Sequence, residues 1–362
     1  MVRFSVIIPA FKDLGYAADT IKTLAGPDVE FIVVADLLSD QEKRELGKLA
    51  EKYPVKLDLS DERRGKVNSL NRAISLAEGD IFVFIDSDAR VVRRDLLELI
   101  EDALREGDFG SGIILLRGRS FLENMARIDY IAINTCMYMG ARHKFSVGLN
   151  GAFIFAKREV VDALNGFAPE IIEDVDFAIR ASLKGFKPVF IQEPCVETGA
   201  PNTWKGWYKQ RRRWVYGGGA LVVKYWRTLL PYLRPVIPQL LCENPVLIVL
   251  LPLFLLPDEL IYKFVLFLTT LLAAVFPPSI PILYVSIVYG FARQLLFVLV
   301  GLVAVWLWFS YWARRFKFKR FRHYHILPYY FLYGPIWAAL TVVWAAYAIA
   351  KRGKVSLPDW KT

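Results

Sequence analysis

Cysteine and histidine are scarce in this chain of 362 residues, with three of each. The cysteines, Cys136, Cys195 and Cys242, lack the paired spacing of a metal site and show no obvious disulfide pairing. This usage fits a reducing compartment. The N-terminal apolar run is too short for a signal peptide, so we expect the globular part to stay in the cytoplasm.

Two phosphate-binding signatures are missing. Arg64-Gly65-Lys66-Val67 lacks the upstream glycine and the following Ser or Thr of a P-loop. No Gly-x-Gly-x-x-Gly follows the first predicted strand, which disfavours a dinucleotide-binding Rossmann fold.

Apolar residues make up 55 % of the chain and are unevenly spread. Up to about Tyr225 charged and apolar segments alternate, as in a globular domain. From Val236 to Ala350 the chain is mostly apolar, with stretches long enough to cross a bilayer. The sequence thus predicts a globular domain followed by a membrane domain.

The net charge of +10 would also suit a nucleic-acid partner. Much of the excess, however, lies beside apolar segments, at Arg211 to Arg213, Arg314 to Arg322 and Lys351 to Lys354. Basic residues that flank membrane spans are expected on the cytoplasmic side. We therefore expect a lipid bilayer, and not nucleic acid, as the partner of these residues.

The membrane domain is predicted to have four or five spans, because the second and third apolar segments form one broken span if Pro277, Pro278 and Pro281 interrupt it. The amphipathic segment Leu221 to Leu233 is predicted to lie along the interface. Glu243 and Arg293 lie in apolar surroundings, either as pathway residues or at span ends. The apolar segments are Leu240 to Leu256, Ile261 to Phe276, Ile280 to Ala292, Leu295 to Trp312 and Leu327 to Ala350.

In the first half, predicted strands and helices alternate, which indicates an α/β domain with a mainly parallel sheet. Ligands of such sheets bind at the carboxyl ends of the strands. The predicted strands are Phe4 to Ile8 (ended by Pro9), Glu30 to Ala35, Val55 to Leu59, Ile81 to Ile85 and Gly110 to Leu116. The predicted helices are Gly15 to Leu24, Asp40 to Lys52, Gly65 to Ala77, Arg93 to Glu106, Phe121 to Tyr138 and a helix from the Glu173 region to Lys184.

The buried strand Ile81 to Ile85 stops at Asp86-Ser87-Asp88. Two carboxylates at the mouth of a buried strand are costly unless a cation compensates them. Mg²⁺ or Mn²⁺ carrying phosphate oxygens would do so. A capped strand-to-loop turn is the alternative interpretation. Asp36, at the end of another strand, should lie at the same edge.

Three further segments each allow two interpretations. The small-residue loop Gly148 to Ala152 is either a plain strand entry or a place where substrate approaches the backbone. The acids of Ile171 to Asp176 either cap a helix or supply a general base. Trp204 to Trp214 is either an interfacial helix or brings Arg213 to a diphosphate.

A series of short elements occurs in one order along the first 215 residues: Pro9, Asp36, Gly65-Lys66 with Leu70-Asn71, Asp86-x-Asp88, Glu173-Asp174 with Asp176 and Arg180, and Gln210-x-x-Arg213-Trp214. With these elements, residues 1 to about 215 resemble a family 2 glycosyltransferase with a GT-A fold, a Rossmann-like α/β domain. The Gln-x-x-Arg-Trp element is typical of the membrane-integrated branch, which includes cellulose, chitin and hyaluronan synthases and ceramide glucosyltransferases. The chain departs from the family in having Ala35-Asp36 and Leu37-Leu38-Ser39 after the second strand.

The resemblance implies a nucleotide-sugar site at the sheet edge, which begins with Pro9 at the end of the first strand. Asp36 would contact the nucleobase, and Lys66 would help to hold the nucleotide. Asp86 would lie near the ribose and the diphosphate. Asp88 would bind Mg²⁺ or Mn²⁺ directly, with Asp86 beside it, and the metal would neutralise the leaving diphosphate.

The resemblance also implies the residues of the transfer step. Asp174 would take the proton from the acceptor hydroxyl, and Glu173 would support it or contact the sugar. Gln210 and Arg213 would steady the diphosphate, with Trp214 near the acceptor. A single base opposite the leaving group fits inversion, so an α-linked donor would give a β-linked product.

We therefore expect a multi-pass cell-membrane glycosyltransferase with its catalytic domain on the cytoplasmic face. UDP-sugars are the favoured donors, and a lipid or a growing polysaccharide is the acceptor. The alternative is a transporter or scaffold that binds nucleotide sugars without chemistry. The expected parts are a GT-A domain (1–215), interfacial helices (216–235), a transmembrane domain (236–352) and a short tail (353–362).

Overall fold

The computed structural model describes residues 3–243, 257–277, 281 and 292–351. Its strands form one sheet in the order β3-β2-β1-β4-β7-β6-β8-β5. The strands are β1 Phe4–Phe11, β2 Val29–Asp36, β3 Val55–Ser60, β4 Ile81–Ile85, β5 Arg90–Val91, β6 Phe109–Leu116, β7 Phe153–Lys157 and β8 Pro188–Thr198.

The first four long strands of this sheet run parallel, as the sequence predicts. β1 pairs with β2 and β4 in parallel, and β2 with β3. β7 is antiparallel to both of its neighbours, with Ile85 of β4 opposite Phe153. Because of this reversal, the chain that enters β7 lies at the same edge as the chain that leaves β4.

The core lies between this sheet and the helices on its two faces. Every residue of β2 and of β4 is buried. A strand that is covered on both faces requires a continuous apolar run, which is the pattern of Phe31 to Ala35 and of Ile81 to Ile85.

The prediction that Pro9 ends the first strand is wrong. β1 continues to Phe11, and Pro9 is paired with Val34 of β2. The pairing of β1 with β4 extends only to Ile7. Pro9 therefore has a neighbouring strand on one side only, which is where a strand tolerates a residue without an N–H group.

Six of the seven helices of the first half agree with the predicted ones to within a few residues at each end, and the short helix Arg158–Leu164 was not predicted. The largest differences are at α4, which begins at Leu96, and at α5, which continues to Arg142. The helices are α1 Ala17–Leu24, α2 Asp40–Lys52, α3 Lys66–Leu76, α4 Leu96–Leu104, α5 Phe121–Arg142, α6 Arg158–Leu164 and α7 Glu173–Leu183.

A long helix, α8 (Trp204–Leu229), follows the sheet. It passes without interruption through position 215, where the sequence predicts a domain boundary. A 3₁₀ turn, Leu230–Tyr232, joins it to α9 (Leu233–Glu243). The basic Gln210 to Trp214 segment and the predicted interfacial segment thus belong largely to one rigid element.

The C-terminal part is helical wherever it is described. α10 (Asp258–Val275) contains most of the predicted second span, and α11 is Ala292–Arg315. Short helical turns from His323 lead through a π-helical turn, Tyr329–Tyr333, into α12, Gly334–Ala350.

Two segments among the described residues are long and apolar enough to cross a membrane, Phe297–Arg315 and His323–Ala350. They contain most or all of the last two predicted spans. The predicted segments Leu240 to Leu256 and Ile280 to Ala292 lie almost entirely outside the described residues, as do the side chains of Glu243 and Arg293.

Candidate active site

One lysine meets several carboxylates at the carboxyl edge of the parallel strands. The ammonium Nζ of Lys66 is 2.8 Å from Oδ1 of Asp86 and 3.0 Å from Oε1 of Glu173. Asp174 also acts on it electrostatically. The predicted residues Lys66, Asp86, Glu173 and Asp174 are therefore brought together, from elements more than 100 positions apart in the sequence.

Each of these side chains occupies the end of a regular element. Lys66 is the first residue of α3, Asp86 follows β4, and Glu173 and Asp174 form the first turn of α7. The alternation of apolar strands with helices places these ends at one edge. At the start of α7 the acids are also favoured by the helix dipole.

Gly151 completes the cluster. Its backbone N–H donates a hydrogen bond of 2.7 Å to Oδ2 of Asp174. A Cβ at this position would lie 2.7 Å from Nζ of Lys66 and 3.4 Å from Oδ2 of Asp174. The loop before β7 thus approaches the charged groups closely, and a larger residue at position 151 would require the Lys66 side chain to shift.

Burial and neighbouring negative charges raise the pKa values of two carboxyl groups in this cluster. Burial raises the pKa of Asp174 to about 6, and the neighbouring Glu173 adds to the rise. Burial likewise raises the pKa of Asp86 to about 6, with Lys66 opposing and Asp88 adding to it. Burial alone would lower the pKa of Lys66, but the carboxylates outweigh it and raise that pKa. Perturbed groups of this kind are characteristic of functional sites.

Asp88 differs from Asp86 in its surroundings. Its residue is exposed, and its backbone carbonyl accepts a hydrogen bond of 2.8 Å from Nη2 of Arg117. Among the described residues, no group of three or more His, Cys, Asp or Glu side chains is arranged to hold a metal ion. Carboxylate oxygens at Asp86 and Asp88, completed by phosphate oxygens of a ligand, are nevertheless a donor set that suits Mg²⁺ or Mn²⁺.

Asp36 is buried and engages a residue that the sequence did not single out. Both of its oxygens accept hydrogen bonds from Arg64, one from Nε at 2.8 Å and one from the backbone N–H at 2.7 Å. Nη1 of Arg64 donates to Asp58 at 2.6 Å. Asp36 therefore fixes the segment that leads into α3. Its predicted contact with a nucleobase stays a prediction, as does any contact of Pro9, which is half-buried within β1.

The Gln210 to Trp214 segment lies on α8, and its buried residue is Arg211. Nη2 of Arg211 is 2.6 Å from Oδ2 of Asp129 on α5, and its guanidinium lies 4.2 Å from the centre of the Trp214 ring. Nη1 of Arg213 reaches the backbone oxygen of Ile171 at 3.4 Å. Arg213 and Trp214 therefore lie beside the segment that precedes Glu173, and Gln210 is half-buried on the same helix.

A second ion-pair cluster joins α7 to α8. The carboxylate of Asp176 is fully buried and accepts hydrogen bonds from Arg180 at 2.6 Å, Lys224 at 2.8 Å and Tyr225 at 2.8 Å. These contacts hold the helix that carries Glu173 and Asp174 against α8.

Sequence reasoning missed Arg64, Arg117, Asp129 and Tyr130. Tyr130 is buried, and the neighbouring Asn150, next to Gly151, partly offsets the rise in the pKa of its hydroxyl that burial causes. A signal existed for only one of them: Asp129 is an acid within an otherwise apolar stretch of α5. Asp36 is 28 positions from Arg64, and Glu197, whose backbone oxygen Arg117 contacts, is 80 positions from Arg117.

Two family models match the chain. "Glycosyl transferase family group 2" matches residues 81–350, and "Glycosyl transferase family 2" matches residues 5–156. The first match covers well over half of the chain. It includes Asp86, the acids of α7 and the Gln210 to Trp214 segment.

Curated relatives have related functions. A probable glycosyltransferase of Bacillus subtilis, YdaM, is 24 % identical over 239 residues, covering 62 % of this chain and 57 % of that protein. The β-monoglucosyldiacylglycerol synthase of Synechocystis is 28 % identical and covers 55 % of this chain and 43 % of its own length. The poly-β-1,6-N-acetyl-D-glucosamine synthase of Staphylococcus aureus is 27 % identical, and the match covers 54 % of this chain and 48 % of that protein. The chain spans about half the length of these relatives.

The fold also matches a solved structure. The mannosyltransferase PcManGT of Pyrobaculum calidifontis, in complex with GDP-Man and Mn²⁺, superposes with a TM-score of 0.51. It is 20 % identical, and the match covers 81 % of this chain and 86 % of that one. This likeness supports the GT-A architecture. With the family matches, it leads to one conclusion: the chain belongs to family 2 of the glycosyltransferases.

Proposed function

We propose that this glycosyltransferase moves a sugar from a nucleotide sugar, a UDP-sugar being favoured, to a membrane-associated acceptor with inversion. Asp174 is the general base, and the product is β-linked. One observation carries the proposal: a carboxylate with a raised pKa is fixed by the Gly151 N–H beside the Lys66 and Asp86 pair.

Each residue has a task that follows from its surroundings. Asp174 accepts the proton of the acceptor hydroxyl, because a base of pKa about 6 is ionised yet basic enough near neutral pH. Lys66 holds Asp86 and Glu173 in place and offers positive charge to the donor. Asp88 and Asp86 are the candidate ligands of Mg²⁺ or Mn²⁺, which when bound would neutralise charge on the diphosphate.

The membrane part of the proposal rests on an exposed apolar stripe as well as on the two candidate spans. The stripe follows α8 and α9 with spacings of three or four residues, and its members are 44–60 % exposed. Lys224, Arg227 and Arg234 lie along the same segment. Such a surface suits the boundary of a bilayer. The stripe consists of Val222, Trp226, Leu230, Leu233, Ile237 and Leu240.

The acceptor is either a lipid or a growing polysaccharide. Both types occur in the names of relatives, one a synthase of a glucosyldiacylglycerol and one of a β-1,6-linked polymer. A cytoplasmic catalytic domain with several further spans completes the proposal, since basic residues concentrate at 314–322, between the two candidate spans.

The test uses purified protein in lipid with Mn²⁺ or Mg²⁺. Nucleotide sugars are screened for release of nucleoside diphosphate, with and without membrane lipid extract. Chloroform-soluble label from the donor would indicate a lipid acceptor, and large water-soluble label a polymer. Nucleotide binding without release from any donor would instead favour the non-catalytic transporter or scaffold.

Variants then test the assigned residues. Asp174→Asn should lower transfer by about 10²–10⁴-fold while nucleotide binding survives. Asp88→Ala should weaken metal-dependent nucleotide binding itself. Asp162→Asn, the same change at an exposed position of α6, is the matched control. Near-normal turnover in Asp174→Asn would show that the base assignment is wrong.

A further inference from the structure

Helix α8 contains three consecutive glycines in its interior, although glycine is a poor helix former. Their surroundings differ. A Cβ on Gly217 would lie 3.0 Å from Cγ2 and 3.1 Å from Cγ1 of Ile172, whereas a Cβ on Gly218 would meet nothing within 4 Å. Only the first of these two positions therefore needs the absence of a side chain for packing.

The neighbour of Gly217 leads directly to the active site. Ile172 is the N-cap residue of α7, and the next two residues are Glu173 and Asp174. Ile172 is also buried, with 8 % of its surface exposed, so it has little room to move away. The backbone of α8 thus forms the surface against which the catalytic helix begins.

The opposite side of α8 is fixed as well. A Cβ on Gly219 would lie 2.8 Å from Cβ of Ala348 on α12. About two turns earlier, Arg211 forms an ion pair with Asp129 and lies 3.2 Å from the hydroxyl of Tyr333. Helix α8 is therefore held from behind and cannot readily retreat when its front face is enlarged.

We propose that Gly217 is a positioning residue for the transfer reaction: its bare backbone seats Ile172 and so sets where the Glu173–Asp174 carboxylates lie relative to Lys66 and Gly151. The proposal rests on the proposed function, in which Asp174 is the base. An added methyl at 217 displaces the start of α7 by a few tenths of an ångström, because α8 is braced by α12. Proton transfer is sensitive to such displacements.

The test compares Gly217→Ala with Gly218→Ala in the full-length protein in lipid. Both changes replace glycine by alanine within the same helix, so their effects on helix propensity match. Gly217→Ala should lower kcat about threefold to tenfold with the donor KM changed less than about twofold, since Lys66, Asp86 and Asp88 are untouched. Gly218→Ala should leave both constants unchanged. Equal kcat values in the two variants would overturn the proposal.

A second pair of variants separates positioning from simple loss of folding. Ile172→Ala removes the two nearest of the three atoms that the added methyl would meet, the third being Cγ2 of Ile171 at 3.3 Å. Gly217→Ala in that background should therefore regain kcat relative to Ile172→Ala alone, because the methyl fills the space. A double variant no more active than Ile172→Ala would count against the proposal, even if Gly217→Ala alone does not fold.

Asp174→Asn is measured alongside to distinguish the two proposals. If it is inactive while the Gly217 and Gly218 variants are alike, only the positioning role fails. If it retains turnover, the base assignment fails and the positioning role fails with it.

Discussion

Buried carboxylates meet a cation in several places among the described residues, and two of these regions differ clearly in charge balance. At the sheet edge, Lys66 faces Asp86, Glu173 and Asp174, and the Lys66 and Asp86 side chains are 23 % and 27 % exposed. Between α5, α8 and the C-terminal turns, Arg211 faces Asp129 alone, with exposures of 1 % and 7 %.

In the second region, uncharged side chains complete the hydrogen bonds around the Arg211–Asp129 ion pair. Asp129 also accepts hydrogen bonds from the hydroxyls of Tyr329 and Tyr333, and Tyr333 in turn accepts one of 2.8 Å from the indole of Trp207. Among the described residues, Nε of Arg211 has no hydrogen-bond partner, but the opposite charges of Arg211 and Asp129 balance each other. An excess of carboxylates that is open to solvent indicates a site for a cationic or polar ligand. A buried ion pair with balanced charge instead indicates a structural role.

The largest effect should come from breaking the balanced pair. Arg211→Ala or Asp129→Ala leaves an uncompensated buried charge, so the free energy of unfolding should fall by about 3–5 kcal/mol. Thermal unfolding in detergent measures this. The double variant Arg211→Met with Asp129→Leu should lose less, since no buried charge remains. Single variants as stable as the wild type would show that the two regions do not differ in this way.

Removing the cation of the active site should chiefly change function. Lys66→Gln leaves the carboxylates without their cation, so nucleotide binding should weaken about tenfold or more and the pKa of Asp174 should rise further. The acid limb of the turnover profile would then move to higher pH. Lys43→Gln, which breaks an exposed pair with Asp61, is the control and should change neither property. An unmoved acid limb would contradict the coupling of Lys66 to Asp174.

The pH profile of the wild type sharpens the comparison further. Asp174 must be ionised to accept a proton, and its pKa is raised to about 6. Turnover should therefore be constant above about pH 7 and fall roughly tenfold per pH unit well below pH 6. The residual turnover of Asp174→Asn should not show the decrease below pH 6 that the protonation of Asp174 causes in the wild type. A wild-type profile that is flat down to pH 5 would exclude the assignment.

Much of the sheet-edge region could be predicted from the sequence, because its signals are local. The apolar run Ile81 to Ile85 ending in two aspartates gives both a buried strand and the end of that strand. Acids at the start of a helical pattern likewise locate Glu173 and Asp174. Once the strands are parallel, their carboxyl ends meet, and no knowledge of distant contacts is needed.

The balanced pair could not be predicted in this way. Asp129 and Arg211 are 82 positions apart, and their shared tyrosine lies 122 positions beyond Arg211. Within Arg211 to Arg213 nothing local indicates which arginine faces inward. The pairing of Arg64 with Asp36 was hidden for the same reason. Pro9 was misjudged because strand pairing, which decides whether proline is tolerated, depends on where the neighbouring strand stops.

The smallest expected effect is a change in the Tm, because the excess of carboxylates around Lys66 at the sheet edge lowers the stability of the folded protein. The folded-state pKa of Asp174 is raised from about 4 to about 6, so the folded protein binds this proton more tightly than the unfolded chain does. The tighter proton binding stabilises the folded protein below about pH 4, and this contribution to the free energy of unfolding is lost as the pH rises through 6. Asp174→Asn, which cannot ionise, should therefore raise the Tm by a few degrees at pH 7.5 and change it little at pH 4.

Asp129→Asn should shift the Tm at pH 7.5 in the direction opposite to Asp174→Asn. Burial also raises the pKa of Asp129, so its ionisation has a cost, but Asp129→Asn leaves the buried Arg211 without its counter-charge. The second effect is the larger, so Asp129→Asn should lower the Tm at pH 7.5, where Asp174→Asn raises it. Asp162→Asn, at an exposed position, should leave the Tm unchanged. If Asp174→Asn and Asp129→Asn shifted the Tm in the same direction at pH 7.5, charge imbalance would not be what separates the two regions. Opposite shifts would mean that the candidate active site retains its excess carboxylates at a cost to stability, as a site that binds a cationic ligand is expected to do.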